Sequence, residues 1–442
     1  MSIFFPTAGS IKGMKCEIPY LRKTFTLEFP DENLLSLAEP NEYHSGTAAG
    51  DLIAEALDNP CGADGGKNGV SLTDFLKEGK RLLVIINDAT RPTPTEAILT
   101  GLLPAVEKAR LDGDCTLIVA TGAHRAPTEE EYRQILGRHY PKLRGRCVCH
   151  NARNDDEMVD IGTTRNGTPM LLNKALFEAD RIIATGSVEP HYFAGFTGGR
   201  KAFLPGIASY KTIEANHKQA LSPKARSLIL EGNPVHEDMM DALPLIKAPV
   251  FSIMTVLDKD QGIAAVSAGD LMASFYRAVD VAKQIFCVSV PSKADIVVSV
   301  AKFPMDIDLY QSQKAIDNGA VALKDNGFLI VVSSCRDGIG DEAYANLLTQ
   351  ASNPAGAIEK IRASYKLGYH KAAKMAEVSG RATIVAVSEL SGEQLKSMFI
   401  EKAADPQEAL DAAMITLVKR GIAVPKILVL PDGCVTVPNP SS

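Results

Sequence analysis

The sequence predicts an α/β protein built from two α/β domains with mainly parallel sheets, and three observations predict it. Short, wholly apolar runs rich in β-branched residues recur along the chain, each followed by a polar turn and then a helical pattern. The runs are apolar throughout rather than alternating, which suits strands covered on both faces. The chain has 442 residues, 45% of them apolar and 23% charged. At about 150 residues per domain that allows two or three domains with sizeable cores.

The elements follow in order. The run LLVII at 82–86 leads into Asn87-Asp88 and the turn Arg91-Pro92-Thr93-Pro94, then a helical pattern over 95–110. CTLIVA at 115–120 leads into Thr121-Gly122-Ala123-His124. In the PTEEEYRQIL that follows, Thr128 with Glu131 three residues on forms a capping box at a helix start. RIIA at 181–184 leads into Thr185-Gly186-Ser187, and a helical pattern runs over 269–285. FCVSVPSKA then marks a boundary near 286–292. Beyond it, runs at 295–300, 328–333, 382–387 and 426–430 predict a second strand–helix series. The expected division is 1–288 and 289–421, with 422–442 returning to the first domain and a site in the cleft between the two.

Charge and cysteine content exclude several classes. The net charge is −6 and the pI about 5.8, so there is no basic footprint for nucleic acid. No run reaches the roughly 20 apolar residues of a membrane helix. The eight cysteines are scattered without a C-x-x-C pair, which fits a reducing compartment. MSIFFPTAGS lacks a charged segment followed by a long apolar one, so no signal peptide is expected and a cytoplasmic location is.

Ligands of open parallel sheets bind at the carboxyl ends of the strands. Asp88, His124 and His191 each follow an apolar run. Singly each reads as a turn former or structural residue; together they point to one crevice. The densest stretch is GSVEPHYFAGFTGGRKAFLPGIASYKTIEANH at 186–217. Gly195, Gly198, Gly199 and Gly206 would let backbone N–H groups approach a phosphate, and Arg200 and Lys201 add charge. The pattern matches neither a Walker A loop nor G-x-G-x-x-G. Lys201 has three open roles: phosphate contact, covalent attachment through its amine, or surface charge. His217 ends a helical pattern, and imidazole suits nickel, copper or zinc, the other ligands then coming from a cofactor. Cys147-Val148-Cys149-His150 fits no common zinc spacing and reads as small buried or edge residues. In the second domain Tyr310 and Lys314, at i and i+4, share a helix face, and Gln311 lies beside them. The glycines of Gly338-Ile339-Gly340 suggest a further anion contact.

NDATRPTP (87–94), TGAHR (121–125), EPHYFAGFTGGRKAFLPGI (189–207), ANH (215–217) and LYQSQKA (309–315) together resemble the nickel-dependent lactate racemase family. His191, Lys201 and His217 occur in that family's order, ten and then sixteen residues apart. The resemblance implies a nickel-pincer nucleotide, a pyridinium-3-thioamide-5-thiocarboxylic acid mononucleotide, held covalently by Lys201. His217 would ligate nickel, and His124 and His191 would be the two acid/base groups. Asp88, Gly198, Gly199 and Arg200 would line the cofactor site. Arg91 would face the substrate, with Gln311, Lys314 and Tyr310 as further substrate contacts.

The implied reaction is racemisation or epimerisation of a 2-hydroxy acid, lactate or a larger one, by reversible hydride transfer to that cofactor. The hydroxyl proton must leave with the hydride, and a neutral imidazole takes it at neutral pH. The implied partners are the small-molecule substrate and separate cofactor-biosynthesis proteins. Two rivals stand beside this reading: a Schiff-base lyase or aldolase using Lys201, and a nickel or nucleotide carrier without turnover.

Overall fold

The computed structural model describes residues 13–21, 23–66 and 68–441. The stretch MSIFFPTAGS, read above for a signal peptide, lies outside them. The described chain forms two compact units, one of Asn41–Phe286 and one of Cys287–Ser442 with the residues before Asn41.

The Asn41–Phe286 unit carries a six-stranded sheet ordered Ile263–Gly269, Val250–Leu257, Arg181–Ser187, Leu82–Asn87, Cys115–Ala120, Cys147–Cys149. All neighbours are parallel except the edge strand Ile263–Gly269, which pairs antiparallel with Val250–Leu257. Leu82–Ile86 are buried without a break, as a strand covered on both faces requires. One face of the sheet packs on the helices Ala49–Asp58, Leu72–Lys77 and Thr95–Lys108 through Ile53, Phe75, Leu99, Leu102 and Val106. The predicted capping box is present, with the Thr128 hydroxyl accepting from Glu131 N–H at 3.2 Å and the Glu131 carboxylate from Thr128 N–H at 2.7 Å.

The chain runs outward from Leu82–Asn87 to Cys115–Ala120 and Cys147–Cys149, then returns to place Arg181–Ser187 on the other side of Leu82–Asn87. That reversal is a topological switch point, where a crevice opens at the carboxyl ends of the two central strands. Thr93 bridges it, donating to Asn87 Oδ1 at 2.7 Å and lying 3.1 Å from Ser187 Oγ.

The second unit carries a wholly parallel six-stranded sheet ordered Glu401–Ala403, Thr383–Val387, Leu323–Val332, Ala294–Val300, Ile427–Leu430, Leu34–Leu37. The expected return of 422–442 to the first domain is therefore corrected. Ile427–Leu430 lies between Ala294–Val300 and Leu34–Leu37, and its side chains share a core with Ile18, Leu27 and Phe29 of the hairpin Gly13–Tyr20/Lys23–Pro30. The residues before Asn41 likewise belong to this unit, not to the first. A fully apolar strand says that both its faces are covered, not which strands flank it, and Leu34 is almost the whole chain away. The boundary near 286–292 falls where expected, at Phe286/Cys287.

Among the described residues no helix is long and apolar enough to cross a membrane. Ile427→Ala removes part of a fully buried side chain and is expected to cost about 2–5 kcal/mol. A urea titration would show this as a lower midpoint. An unchanged midpoint would put the strand outside the sheet.

Candidate functional site

Three loops at the carboxyl ends of the first unit's strands carry the sequence-predicted residues. The loop after Leu82–Asn87 places the buried carboxylate of Asp88 against His124, Oδ2 to Nδ1 at 2.8 Å. Thr90, unremarked in the sequence, donates its hydroxyl to Asp88 Oδ1 at 2.6 Å and its N–H to the same oxygen at 3.1 Å. Burial pushes the Asp88 carboxyl up, but its hydrogen bonds to His124 and Thr90 and the charges of His124 and Arg91 outweigh that and hold it below the ordinary value. Because Asp88 takes the hydrogen of Nδ1, the other ring nitrogen of His124 is left as the basic atom. Arg91 is half-buried in the same turn.

The loop after Cys115–Ala120 is fixed to the third loop by Gly122, whose N–H donates to Gly206 O at 2.9 Å. Gly122 needs φ +55° there, a conformation that favours glycine. His124 and the Lys201 loop are thereby tied through backbone.

The third loop follows Arg181–Ser187. His191 Nδ1 accepts from Ala194 N–H at 3.3 Å, and its Nε2 lies 3.0 Å from Lys201 Nζ. The Phe193 ring packs edge-on to His191, with centroids 4.5 Å apart, and to His217 at 4.9 Å. Lys201 Nζ lies 5.5 Å from the centre of the same ring. One buried aromatic thus gathers His191, Lys201 and His217. Phe196 is buried and packs the loop.

Three residues expected at the cofactor, Arg200, Gly198 and Gly199, also shape the loop. Arg200 is completely buried. It donates to the backbone carbonyls of Ala194 at 2.6 Å and Gly198 at 3.3 Å, and stacks on Phe275 with its guanidinium carbon 4.5 Å from the ring centre. Burial pulls its pKa down to about 9, still cationic at neutral pH. It is a brace for the loop. Gly198 and Gly199 take φ +78° and +55°, and a Cβ would meet Val188 Cγ2 at 2.6 Å or the Phe275 ring at 2.8 Å. Gly199 N–H already donates to Met254 Sδ. These glycines permit close packing of the loop against Val188 and Phe275.

His217 is the penultimate residue of the helix Tyr210–Lys218, which Ser209 caps. It is 8% exposed, and its Nδ1 lies 3.2 Å from Asn216 Oδ1. His150 is a structural histidine: Nε2 bonds Ala208 O at 2.9 Å, Nδ1 faces Asn173, and burial lowers its pKa. Cys147 is buried and Cys149 partly buried, on the edge strand.

In the second unit Tyr310, Gln311 and Lys314 lie on the helix Leu309–Val321, capped by Asp308, which accepts from Gln311 N–H at 2.6 Å. Gly338-Ile339-Gly340 anchors that helix rather than an anion: Gly338 O and Ile339 O accept from the N–H groups of Leu309 and Tyr310. Lys371, which sequence reasoning missed, lies over the Tyr310 ring at 3.6 Å and donates to the Tyr310 carbonyl. Lys314 Nζ contacts Met305 Sδ.

The depressed Asp88 pKa sets a sign. Its contribution to stability is present above the unfolded value near ~3.9 and is lost as pH falls through the folded value. Asp88→Asn should therefore lower the melting temperature at pH 7 relative to the parent, with the gap closing below about pH 4. A gap of equal size at both pH values would detach the carboxylate from this role.

The chain matches family models along most of its length. Residues 20–227 match the lactate racemase N-terminal domain and 290–437 the lactate racemase C-terminal domain. A lactate racemase of Lactiplantibacillus plantarum is 33% identical over 94% of this chain and 98% of its own. One of Thermoanaerobacterium thermosaccharolyticum is 31% identical over 94% of this chain and 97% of its own. The structure of the latter's apoprotein superposes with a TM-score of 0.88, covering 96% of this chain and all of that one. A Thermotoga maritima protein, 16% identical and covering 91% of this chain and all of its own, shares the fold at a TM-score of 0.68. This chain belongs to the lactate racemase family and is an isomerase of that kind.

Proposed function

We propose that this enzyme interconverts the enantiomers of a 2-hydroxy acid, lactate first among the candidates, using a nickel-pincer nucleotide tethered to Lys201. The observation that carries the reading is the grouping of His191, Lys201 and His217 around Phe193, tied through Gly122 and Gly206 to the His124–Asp88 pair.

The residues fit such a group. A tether needs an amine, and Lys201 Nζ is partly exposed beside an imidazole nitrogen that can accept its proton. A nickel ligand needs a ring nitrogen that can donate a lone pair; His217 Nδ1 lies 3.2 Å from Asn216 Oδ1, and Nε2 is assigned to the metal. Among the described residues no cluster of three or more His, Cys, Asp or Glu could hold a metal by itself. Lys201 and His217 are therefore proposed as the protein's contribution, with sulfur donors from the nucleotide completing a set that suits nickel. When bound, the cofactor would supply a reversible acceptor for the C2 hydrogen of the substrate as hydride.

The chain's own residues do the rest. Arg91, half-buried beside Asp88, is assigned to the substrate carboxylate, where a guanidinium gives paired hydrogen bonds. His124 takes the hydroxyl proton as C2 is oxidised, and the Asp88 carboxylate stabilises the imidazolium that forms. His191 serves the opposite face, so either enantiomer meets a base and the 2-oxo acid meets an acid on return. The assignment of Tyr310, Gln311 and Lys314 to substrate rests on the resemblance of LYQSQKA. Loading is assigned to separate cofactor-making proteins. A cytoplasmic location is favoured by eight unpaired thiols.

Two measurements test the reading on protein co-expressed with cofactor-making enzymes. Lactate deuterated at C2 should racemise in water with its label retained; loss of deuterium to solvent would mean proton abstraction and sink the hydride reading. His124→Ala and His191→Ala should each lower kcat by about 10²–10⁴-fold. Lys201→Ala should lose both the mass increment and the nickel that the parent carries.

A further inference from the structure

The geometry points to Asp238 and Asn216 as positioning residues that fix the His217 ring as its Nδ1–H tautomer and so present Nε2 as the donor atom. The assignment of a metal to that atom rests on the function proposed above; the tautomer does not.

Donors and acceptors around Asn216 fix the direction of each hydrogen bond. Asn216 and Asp238 are completely buried. Asn216 Nδ2 donates to Asp238 Oδ2 at 2.8 Å and to Val235 O at 3.3 Å. Both partners are acceptors only, so the NH₂ end of the amide must face them. Oδ1 must then face His217, and an amide oxygen only accepts. The His217 nitrogen 3.2 Å away, Nδ1, therefore carries the hydrogen, and the lone pair of the neutral ring sits on Nε2.

Asp238 is held in turn. The Thr164 hydroxyl donates to Oδ1 at 2.6 Å and the Thr168 hydroxyl to Oδ2 at 2.7 Å. Thr164 Oγ1 accepts from Thr168 N–H at 3.1 Å, which sends its own hydrogen to Asp238. The chain of orientation thus runs from the 164–168 turn through Asp238 and Asn216 to His217. Partners of this kind around metal-bound histidines set ring orientation and basicity.

Asp238→Asn tests it, because the new NH₂ can replace an acceptor with a donor and let the Asn216 amide turn over. The readout is the imidazole nitrogen shift of His217 in the metal-free full chain, labelled with ¹⁵N-histidine at a pH where the ring is neutral. Its signals are assigned by their absence in His217→Gln. The parent should show a protonated Nδ1 and a bare Nε2. Asp238→Asn should shift the population toward protonated Nε2. A parent ring protonated at Nε2 overturns the proposal whether or not the variant folds. So does a folded Asp238→Asn protein with the parental tautomer. In the cofactor-loaded enzyme, Asp238→Asn should also lose nickel to a chelator about 10–100-fold more readily. A reversed tautomer with unchanged nickel retention would support the positioning and overturn the assignment of nickel to His217.

Discussion

The loop that carries Lys201 is organised around a cation it has buried. Arg200 is completely buried, and its acceptors are the carbonyls of the loop itself, Ala194 and Gly198. Desolvating a guanidinium costs several kcal/mol unless its partners are well placed. The surroundings supply that placement. The Phe275 ring lies under the charge, and burial together with that charge pulls His236 down to about 3, so no second cation forms beside it. Asn233 is buried too, and holds the Phe193 carbonyl at 2.8 Å while capping the helix Pro234–Ala242. Main-chain carbonyls can converge on one guanidinium only if the loop has one shape. Lys201 is the next residue, so its amine inherits that shape.

The histidines of this unit show one device in three settings. Each has its ring oriented through a hydrogen bond to a fixed group, and the group differs with the task. His150 is wedged between Ala208 O and Asn173 and is structural. His124 meets a carboxylate, which can neutralise an imidazolium. His217 meets a neutral amide, which orients the ring without neutralising a charge on it. A carboxylate suits a group that gains and loses protons; an amide suits one that must stay neutral to donate a lone pair.

Much of this was legible in the sequence, and the parts that were not share a cause. Unbroken apolar runs marked the strands from Leu82 to Leu430, and Thr128 with Glu131 marked a helix start, because periodicity and capping are local. Asp88, His124, His191 and Lys201 stood out as candidates because parallel sheets put ligand-facing residues on loops at strand ends, and His217 because it closes the same motif-bearing stretch. Neighbours distant in sequence were not. Nothing local links Leu34 to Ile427, or Asp238 to Asn216, and Lys371 carries no mark of its place over Tyr310. Residue type alone also leaves two uses open. Charge and φ freedom look alike in a phosphate loop and in a tightly folded brace, so the bracing contacts of Arg200 and the paired glycines were not legible. Thr90 was hidden within a motif whose other members drew the attention.

Exposure completes the division between the two kinds of histidine. The His124 side chain is 47% exposed, whereas His217 is 8% exposed. A group that exchanges protons with substrate must be reached by substrate, and Asp88 behind it is buried at 6% so that its charge acts at short range through one hydrogen bond. A group that donates a lone pair to a soft metal gains from the opposite arrangement, since water is the competing ligand and the competing partner for Asn216. Burial strengthens the Asp238–Asn216–His217 chain for the same reason that it would be costly if broken: a buried donor that loses its acceptor bears the full cost of desolvation. The fold meets both demands by setting them on different supports. The His124–Asp88 pair sits on loops at strand ends, and His217 sits on a helix backed by a second helix and a buried carboxylate.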